Sequence, residues 1–270
     1  MIQRLSKNLG VYEGEAPPET GQLEVDGYAV VRGVFTADDV QALRREIDSV
    51  FASYPAERGR TDEFRYEMFN RSALAQAALA HPRILAVIEP LLGHDCHVIA
   101  NTAWRNSREF PGGPWHCDSG PHIPRPEGVE WDERIPYPVF AIGAHLLLLD
   151  CEEADGPTAV APGSHRSGRL APRDRKHDPT LTYDGRPPAL LVGRAGDVAL
   201  FVSDAWHRGT PATGGRGRYF LQVHYGRRDL AQRVRTTAQV NHVAPEALAR
   251  ARGARQRSIL GLHDPAFYDG

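Results

Sequence analysis

Lysine is nearly missing from this 270-residue chain: only Lys7 and Lys176 occur, and arginine carries the rest of the positive charge. Neither sign of charge is in surplus, with 32 Lys+Arg against 34 Asp+Glu and a formal net of −2. A general nucleic-acid or anionic-membrane binder carries a basic surplus, so neither is expected as a partner. Cysteine is scarce too. Cys96, Cys117 and Cys151 are odd in number and lack CxxC spacing, which argues against a disulfide framework and a zinc finger. No apolar run approaches the roughly 18 residues that span a bilayer, and Met1–Gly10 lacks the apolar core of a signal peptide. A cytoplasmic protein is the expectation. What remains is ordinary for a folded chain: 41% hydrophobic and 24% charged residues, ample for a buried core. Against that background the 12 histidines are the useful excess, an inventory for metal binding and acid–base work.

The first third reads as helical. Residues 1–22 mix charge with Pro17 and Pro18 and read as a loose arm. Tyr28–Arg32 has the pattern of a short strand. Thr36 then caps a helix with Asp38 and Asp39 in its first turn and Val40, Leu43, Ile47, Val50 and Phe51 at helical spacing. A second helical stretch, Ser72–Leu92, restarts at Pro82. From Cys96 onward the pattern changes to short apolar runs at 98–104, 139–149, 158–161, 189–192, 198–202 and 219–225. Turns such as Phe110-Pro-Gly-Gly-Pro and Ala161-Pro-Gly-Ser part them. Many short strands without alternating helices predict a mainly β fold, a sandwich or barrel. The proline-rich link 122–138, closely flanked by strand-like runs, reads as a stiff loop covering the active site. Pro245–Arg252 reads as a short helix before a polar tail. One domain over 1–270 is the expectation.

Three pieces of sequence carry chemistry. In Trp115-His116-Cys117-Asp118, alternate residues of an extended segment point the same way, so His116 and Asp118 can present imidazole and carboxylate to one point. The second piece, Asp204-Ala205-Trp206-His207-Arg208-Gly209, follows the run at 198–202. The third is Arg218, at the head of the run at 219–225. Two histidines and a carboxylate form a facial triad that leaves adjacent positions open on an octahedral metal, as non-haem Fe(II) chemistry requires. Tetrahedral zinc more often takes cysteine or a third histidine. A nearby arginine offers a planar, permanently charged fork to a carboxylate. Each piece alone is weak: His116 as a strand-end histidine, His207 as a loop histidine and Arg218 as an ion-paired arginine are the bland readings. Their combination and order reverse the balance.

The ordered set also includes Asp26-Gly-Tyr-Ala-Val-Val-Arg32, Asp155-Gly-Pro-Thr-Ala-Val-Ala-Pro-Gly-Ser-His165 and Ala195-Gly-Asp197. With His116-x-Asp118, His207 and Arg218, it resembles the phytanoyl-CoA dioxygenase family of Fe(II)/2-oxoglutarate-dependent oxygenases over residues 23–228. The resemblance implies a double-stranded β-helix, or jelly roll, of the cupin-like type with helices packed outside. It implies Fe(II) on His116, Asp118 and His207, 2-oxoglutarate with its C5 carboxylate on Arg218, and O₂. Arg216, two residues earlier, is the competing arginine. Asn101 and Thr158 are further expected contacts of the cosubstrate. Some relatives carry serine two residues after the distal histidine, where this chain has Gly209; one cosubstrate hydrogen bond is then either missing or supplied by Thr210. The implied reaction is oxidative decarboxylation of 2-oxoglutarate to succinate and CO₂, coupled to hydroxylation of an unactivated C–H bond. Related halogenases replace the carboxylate ligand by a small residue, so Asp118 favours hydroxylation, while desaturation, cyclisation and epimerisation start from the same oxidant.

The substrate is expected to be a small organic molecule, a secondary metabolite or amino-acid derivative. Arg65, Arg105, Trp115 and Trp206 are the candidate substrate contacts, because aromatics beside arginines suit an anion-bearing ligand. Further candidate walls are 64–70, Trp104 and the link 122–138. No basic cluster marks a coenzyme A phosphate site. His165 is expected to hold the Pro-Gly-Ser-His turn by side-chain to backbone bonds, Asp197 to organise a turn, and Cys117 to point away from the metal. Two rivals stand beside the oxygenase. One is a cupin-like metal hydrolase or isomerase, which has no use for Arg218; the other is a non-catalytic barrel, which has no reason to keep the triad.

Overall fold

The computed structural model describes residues 15–55, 62–118, 120–232 and 243–263. Seven α-helices are described: α1 (Pro18–Asp26), α2 (Ala37–Ser53), α3 (Met68–Arg71), α4 (Ala73–Leu79), α5 (Pro82–Leu92), α6 (Pro245–Arg250) and α7 (Ala254–Ile259). Nine strands lie among the described residues: β1 (Tyr28–Val31), β2 (Asp62–Arg65), β3 (His97–Asn106), β4 (Ala141–Leu147), β5 (Thr158–Val160), β6 (Ala189–Leu190), β7 (Val198–Val202), β8 (His207–Gly209) and β9 (Arg218–Gly226).

Local chemistry accounts for the helix ends. Thr36 and Asp39 form a capping box at the start of α2, each side chain taking the other's backbone N–H at 3.2 and 2.9 Å. Pro18 and Pro82 stand at the first positions of α1 and α5, where a missing N–H costs nothing. The segment expected as a loose arm through residue 22 is therefore corrected: its last residues are helical, with Thr20 and Leu23 buried, and Thr20 Oγ1 donating to Val87 O at 2.9 Å. Residues 1–14 of that arm lie outside the described residues. The polar tail after Arg252 likewise holds α7, whose Ile259 is buried.

All strand pairings are antiparallel. The larger sheet runs β1-β7-β4-β9-β3-β2, and the smaller β6-β5-β8. This is a jelly roll with the helices outside one sheet. Directly opposed residues share a face, and the register sorts the central strand β9 into two sets. Leu221, Val223 and Tyr225 join the apolar core with Ile47, Leu79 and Ile88 from α2, α4 and α5. Phe220, Gln222 and His224 are opposed by Leu147, His145 and Gly143 of β4 and by Trp104, Thr102 and Ala100 of β3, on the other face. Onto that inner face the small sheet packs, with Val160 against Ala199 and Phe201. Among the described residues no helix is long and apolar enough to cross a membrane.

Gly143 shows how tightly the inner face is filled. A Cβ there would stand 2.5 Å from Cζ of Phe201, whose ring also touches His145 and His207. Gly143→Val overpacks this layer. It is expected to lower unfolding stability by about 1–3 kcal/mol, read as a lower denaturant midpoint at unchanged slope.

Candidate metal centre and cosubstrate pocket

The extended segment at His116 and strand β8 are joined by a two-way backbone bridge: His116 N donates to His207 O at 3.0 Å, and His207 N to His116 O at 2.9 Å. Asp118 N donates to Ser203 O at 3.2 Å, so the pair is anchored to the turn that delivers His207. Neighbouring side chains point outward. Cys117 Sγ donates to Asp204 O at 3.3 Å, and Trp115 Nε1 to Asp178 O at 2.7 Å. One ligand atom each from His116, Asp118 and His207 falls within 4.8 Å of the others.

The tautomers suit a metal. Nδ1 of His116 sits 2.9 Å from Pro114 O, and Nδ1 of His207 sits 2.9 Å from Ala205 O. A carbonyl only accepts, so both Nδ1 atoms carry hydrogen, and Nε2 is the nitrogen that each ring would offer to a metal, His207 on giving up any proton it shares with Asp118. Burial and the neighbouring His207 lower the pKa of His116. Burial alone would lower His207, but Asp118 outweighs it and raises that imidazole. Burial works to raise the Asp118 carboxyl, yet His224 and His207 prevail and hold it well below the usual carboxylate range. Its Oδ1 is 3.4 Å from His207 Nε2, and its Oδ2 is 3.1 Å from Nε2 of His224 on β9. Two neutral imidazoles and an ionised carboxylate are the donor set that Fe(II) takes.

Arg218 enters the same space from the start of β9. Its residue is 8% exposed, its Nη1 donates to Thr158 Oγ1 at 2.9 Å, and its Nε has no partner among the described residues. Phe110 and Phe220 lie 5.5 and 5.0 Å from its guanidinium carbon. Burial pushes its pKa down to about 10, so it remains charged at neutral pH. Arg216 is placed otherwise, exposed and 3.8 Å from the Asp155 carboxylate. Gly209 also finds its reason: a Cβ there would come within 2.9 Å of both Arg218 Nη2 and the Phe110 ring. Thr210 does not substitute for a serine at that position, since its hydroxyl donates to Pro157 O at 2.7 Å.

Several expected contacts lie elsewhere. Asn101 is opposite Val223, on the helix-facing side, and its Nδ2 donates to Gln222 O at 2.9 Å, so it does not reach the Arg218 pocket. Arg105 is opposite Tyr219 on that same outer side, paired with Asp48 and lying 4.0 Å over Phe51. Arg65 is 2% exposed and closes the C-terminal end of α2, donating to Phe51 O and Tyr54 O at 3.0 and 2.9 Å. Trp115 and Trp206 belong to an apolar cluster with Cys117 and Ala161, and Trp206 Nε1 donates to Arg169 O at 2.8 Å. These four residues are thus engaged in structure rather than turned to the metal site. His165 bonds Glu24 O of α1 at 3.0 Å instead of its own turn; Ser164 closes the turn by donating to Ala161 O at 2.7 Å. Asp197 does organise its turn, accepting from Gly33 N at 2.7 Å and Arg194 N at 2.8 Å. His145, which the sequence offers equally as a core histidine or a pocket residue, is buried on the inner face, whereas Gln222 and His224 were not read from the sequence. The strict alternation of β9 from Arg218 was the available signal.

Jelly roll, open His-Asp-His triad and buried arginine together define the Fe(II)/2-oxoglutarate class. A sequence profile of the phytanoyl-CoA dioxygenase family matches residues 23–220, and the chain belongs to that family, whose cofactors are Fe(II), 2-oxoglutarate and O₂. The dioxygenase cdmD of Talaromyces verruculosus is 24% identical over 216 residues, which are 68% of this chain and 65% of that protein. Among solved structures, the epimerase SnoN with Fe3+, alpha ketoglutarate and nogalamycin RO has a TM-score of 0.63 at 19% identity, covering 84% of this chain and 92% of SnoN. HygX of Streptomyces hygroscopicus with nickel and 2-oxoglutarate has a TM-score of 0.64 at 17% identity, covering 81% and 90% of the two chains. Both structures share the fold. Replacing His116, Asp118 or His207 by alanine is expected to weaken Co(II) binding roughly 100-fold or more by visible titration, with the far-UV circular dichroism retained.

Proposed function

We propose that the protein is an Fe(II)- and 2-oxoglutarate-dependent dioxygenase that hydroxylates an unactivated C–H bond of a small organic molecule, with release of succinate and CO₂. One observation carries the reading. Beside three convergent ligand side chains stands a buried guanidinium that has no carboxylate partner among the described residues. A buried charge without a counter-charge costs several kcal/mol, so the site is suited to an anion from outside. A hydrolase using the same triad has no need of it.

His116, Asp118 and His207 would hold the iron, and Arg218 with Thr158 would take the C5 carboxylate. The bound iron and cosubstrate supply the oxidising power, drawn from O₂ and from decarboxylation of the keto acid. The protein's share is placement. Arg218 fixes the far end of the cosubstrate, Phe110 and Phe220 keep water from that charge, and His224 holds the second oxygen of Asp118. Because Asp118 occupies the carboxylate position, halide has no vacant ligand place, and hydroxylation is the favoured outcome.

The structures similar in fold include the carbocyclase SnoK, the epimerase SnoN and HygX with hygromycin B. A functionalised secondary metabolite is accordingly the substrate class proposed here. Product mass separates the outcomes: hydroxylation adds one oxygen atom, cyclisation removes two hydrogens, and epimerisation changes nothing.

Anaerobic titration of the Fe(II)-loaded protein with 2-oxoglutarate tests the cosubstrate directly through the visible metal-to-ligand charge-transfer band. Arg218→Ala is expected to weaken binding about 100-fold, the scale of a lost buried charge pair, whereas Arg216→Ala leaves it within about twofold. The reverse ranking would move the role to Arg216. No band at full metal occupancy would favour the hydrolase.

A further inference from the structure

A chain of four hydrogen bonds runs across the inner face of the larger sheet to the Arg218 pocket, and its polarity is determined at one end. Trp104 Nε1 donates to Gln222 Oε1 at 2.7 Å. Indole N–H can only donate, so the Gln222 amide cannot be turned the other way round. The amide nitrogen therefore faces Nε2 of His145, at 3.4 Å. An amide NH₂ only donates as well, which makes His145 Nε2 an acceptor and puts the ring hydrogen on Nδ1. That Nδ1 lies 3.3 Å from Thr158 Oγ1, which also receives Nη1 of Arg218 at 2.9 Å.

Thr158 Oγ1 thus accepts twice, from His145 and from Arg218. A hydroxyl oxygen has two lone pairs, and both are engaged, so its own hydrogen must point in the one remaining direction. No acceptor for it is found among the described residues. We propose that Gln222 and His145 are positioning residues that hold the Thr158 hydroxyl as a donor into the Arg218 pocket, so that the pocket offers only donors and selects a carboxylate over a carboxamide at the far end of the cosubstrate. The inference rests on the oxygenase reading for the identity of the ligand, but the hydrogen-bond order belongs to the protein alone. Burial together with the nearby Arg218 holds His145 well below its usual pKa, consistent with a neutral ring whose single hydrogen has to be placed. Phe201 and Phe220 pack against that ring, at 5.1 and 4.4 Å between centroids, and hold it in place.

The same logic separates this role from simple packing. Gln222→Glu keeps shape and the Trp104 bond, yet presents only an acceptor to His145. The ring hydrogen then moves to Nε2, Nδ1 becomes an acceptor, and it draws the Thr158 hydrogen away from the pocket.

The first test is nitrogen NMR on the metal-free protein with labelled histidine, with the His145 signals identified by their loss in His145→Asn. The expected result is a protonated Nδ1 and an unprotonated Nε2 in the native chain, reversed in Gln222→Glu. A protonated Nε2 in the native chain overturns the proposal whatever the protein's activity. The second test is 2-oxoglutarate binding to the anaerobic Fe(II) protein, in a cycle of Gln222→Met, Thr158→Val and the double variant. Each single variant is expected to weaken binding about tenfold, as for one hydrogen bond to a charged group, and the double variant to be no worse than Thr158→Val alone. Losses that multiply in the double variant overturn the link between Gln222 and Thr158. Absence of 2-oxoglutarate binding in the native chain, with the expected NMR result, would instead reject the oxygenase reading and leave the hydrogen-bond order standing.

Discussion

Strand β9 is bonded on both edges and covered on both faces, and this constraint governs the rest of the molecule. Most residues there have little solvent to turn to; Gln222 and His224 alone in the strand are partly exposed. Tyr219, Leu221, Val223 and Tyr225 meet the helical layer, where the Tyr225 hydroxyl donates to Leu79 O at 3.0 Å. Arg218, Phe220, Gln222 and His224 face the small sheet and must find partners inside the jelly roll. The period of two along a strand thus separates a packing face from a chemical face within one nine-residue segment. A slip of one residue in register would exchange the two and destroy both.

The chemical face is high in stakes because two of its polar groups, Arg218 and His145, are buried away from water. Arg218 has one protein partner, a hydroxyl, and its Nε has none among the described residues. His145, next along the face, is kept neutral by burial and by Arg218. His224 leans on Asp118, and the two ligand imidazoles donate their far nitrogens to backbone carbonyls. At Arg218 this leaves positive charge directed at an incoming group rather than at a carboxylate of the protein among the described residues. Such an arrangement is unfavourable in the protein alone, and it is the stored cost that makes a site selective.

Much of the frame was legible. Thr36 with Asp39 announced α2, Pro82 announced α5, and the run at Val198–Val202 is β7 to the residue. His116, Asp118, His207 and Arg218 converge because three separate spacings carried one pattern. The expected substrate contacts fared differently. Arg65, Arg105, Trp115 and Trp206 were picked for residue type beside a motif, and type does not reveal which face of a strand a side chain takes. Arg65 satisfies the end of a helix, Arg105 meets an aspartate on α2, and the two tryptophans close an apolar cluster. Asn101 was one register position from the inner face, where Thr102 stands.

Composition, turn residues and the order of His116-x-Asp118, His207 and Arg218 by themselves pointed to a mainly β chain with three candidate metal ligands and a candidate anion-binding arginine. Those features are local or ordinal, and a linear sequence preserves them. Only the tertiary structure decided which arginine is buried, which tryptophan faces inward, and that Trp104, His145, Thr158 and Gln222, drawn from four strands, form one hydrogen-bonded line. Those relations depend on strand register and on the packing of one sheet against another, and neither is set by residues close together in the chain.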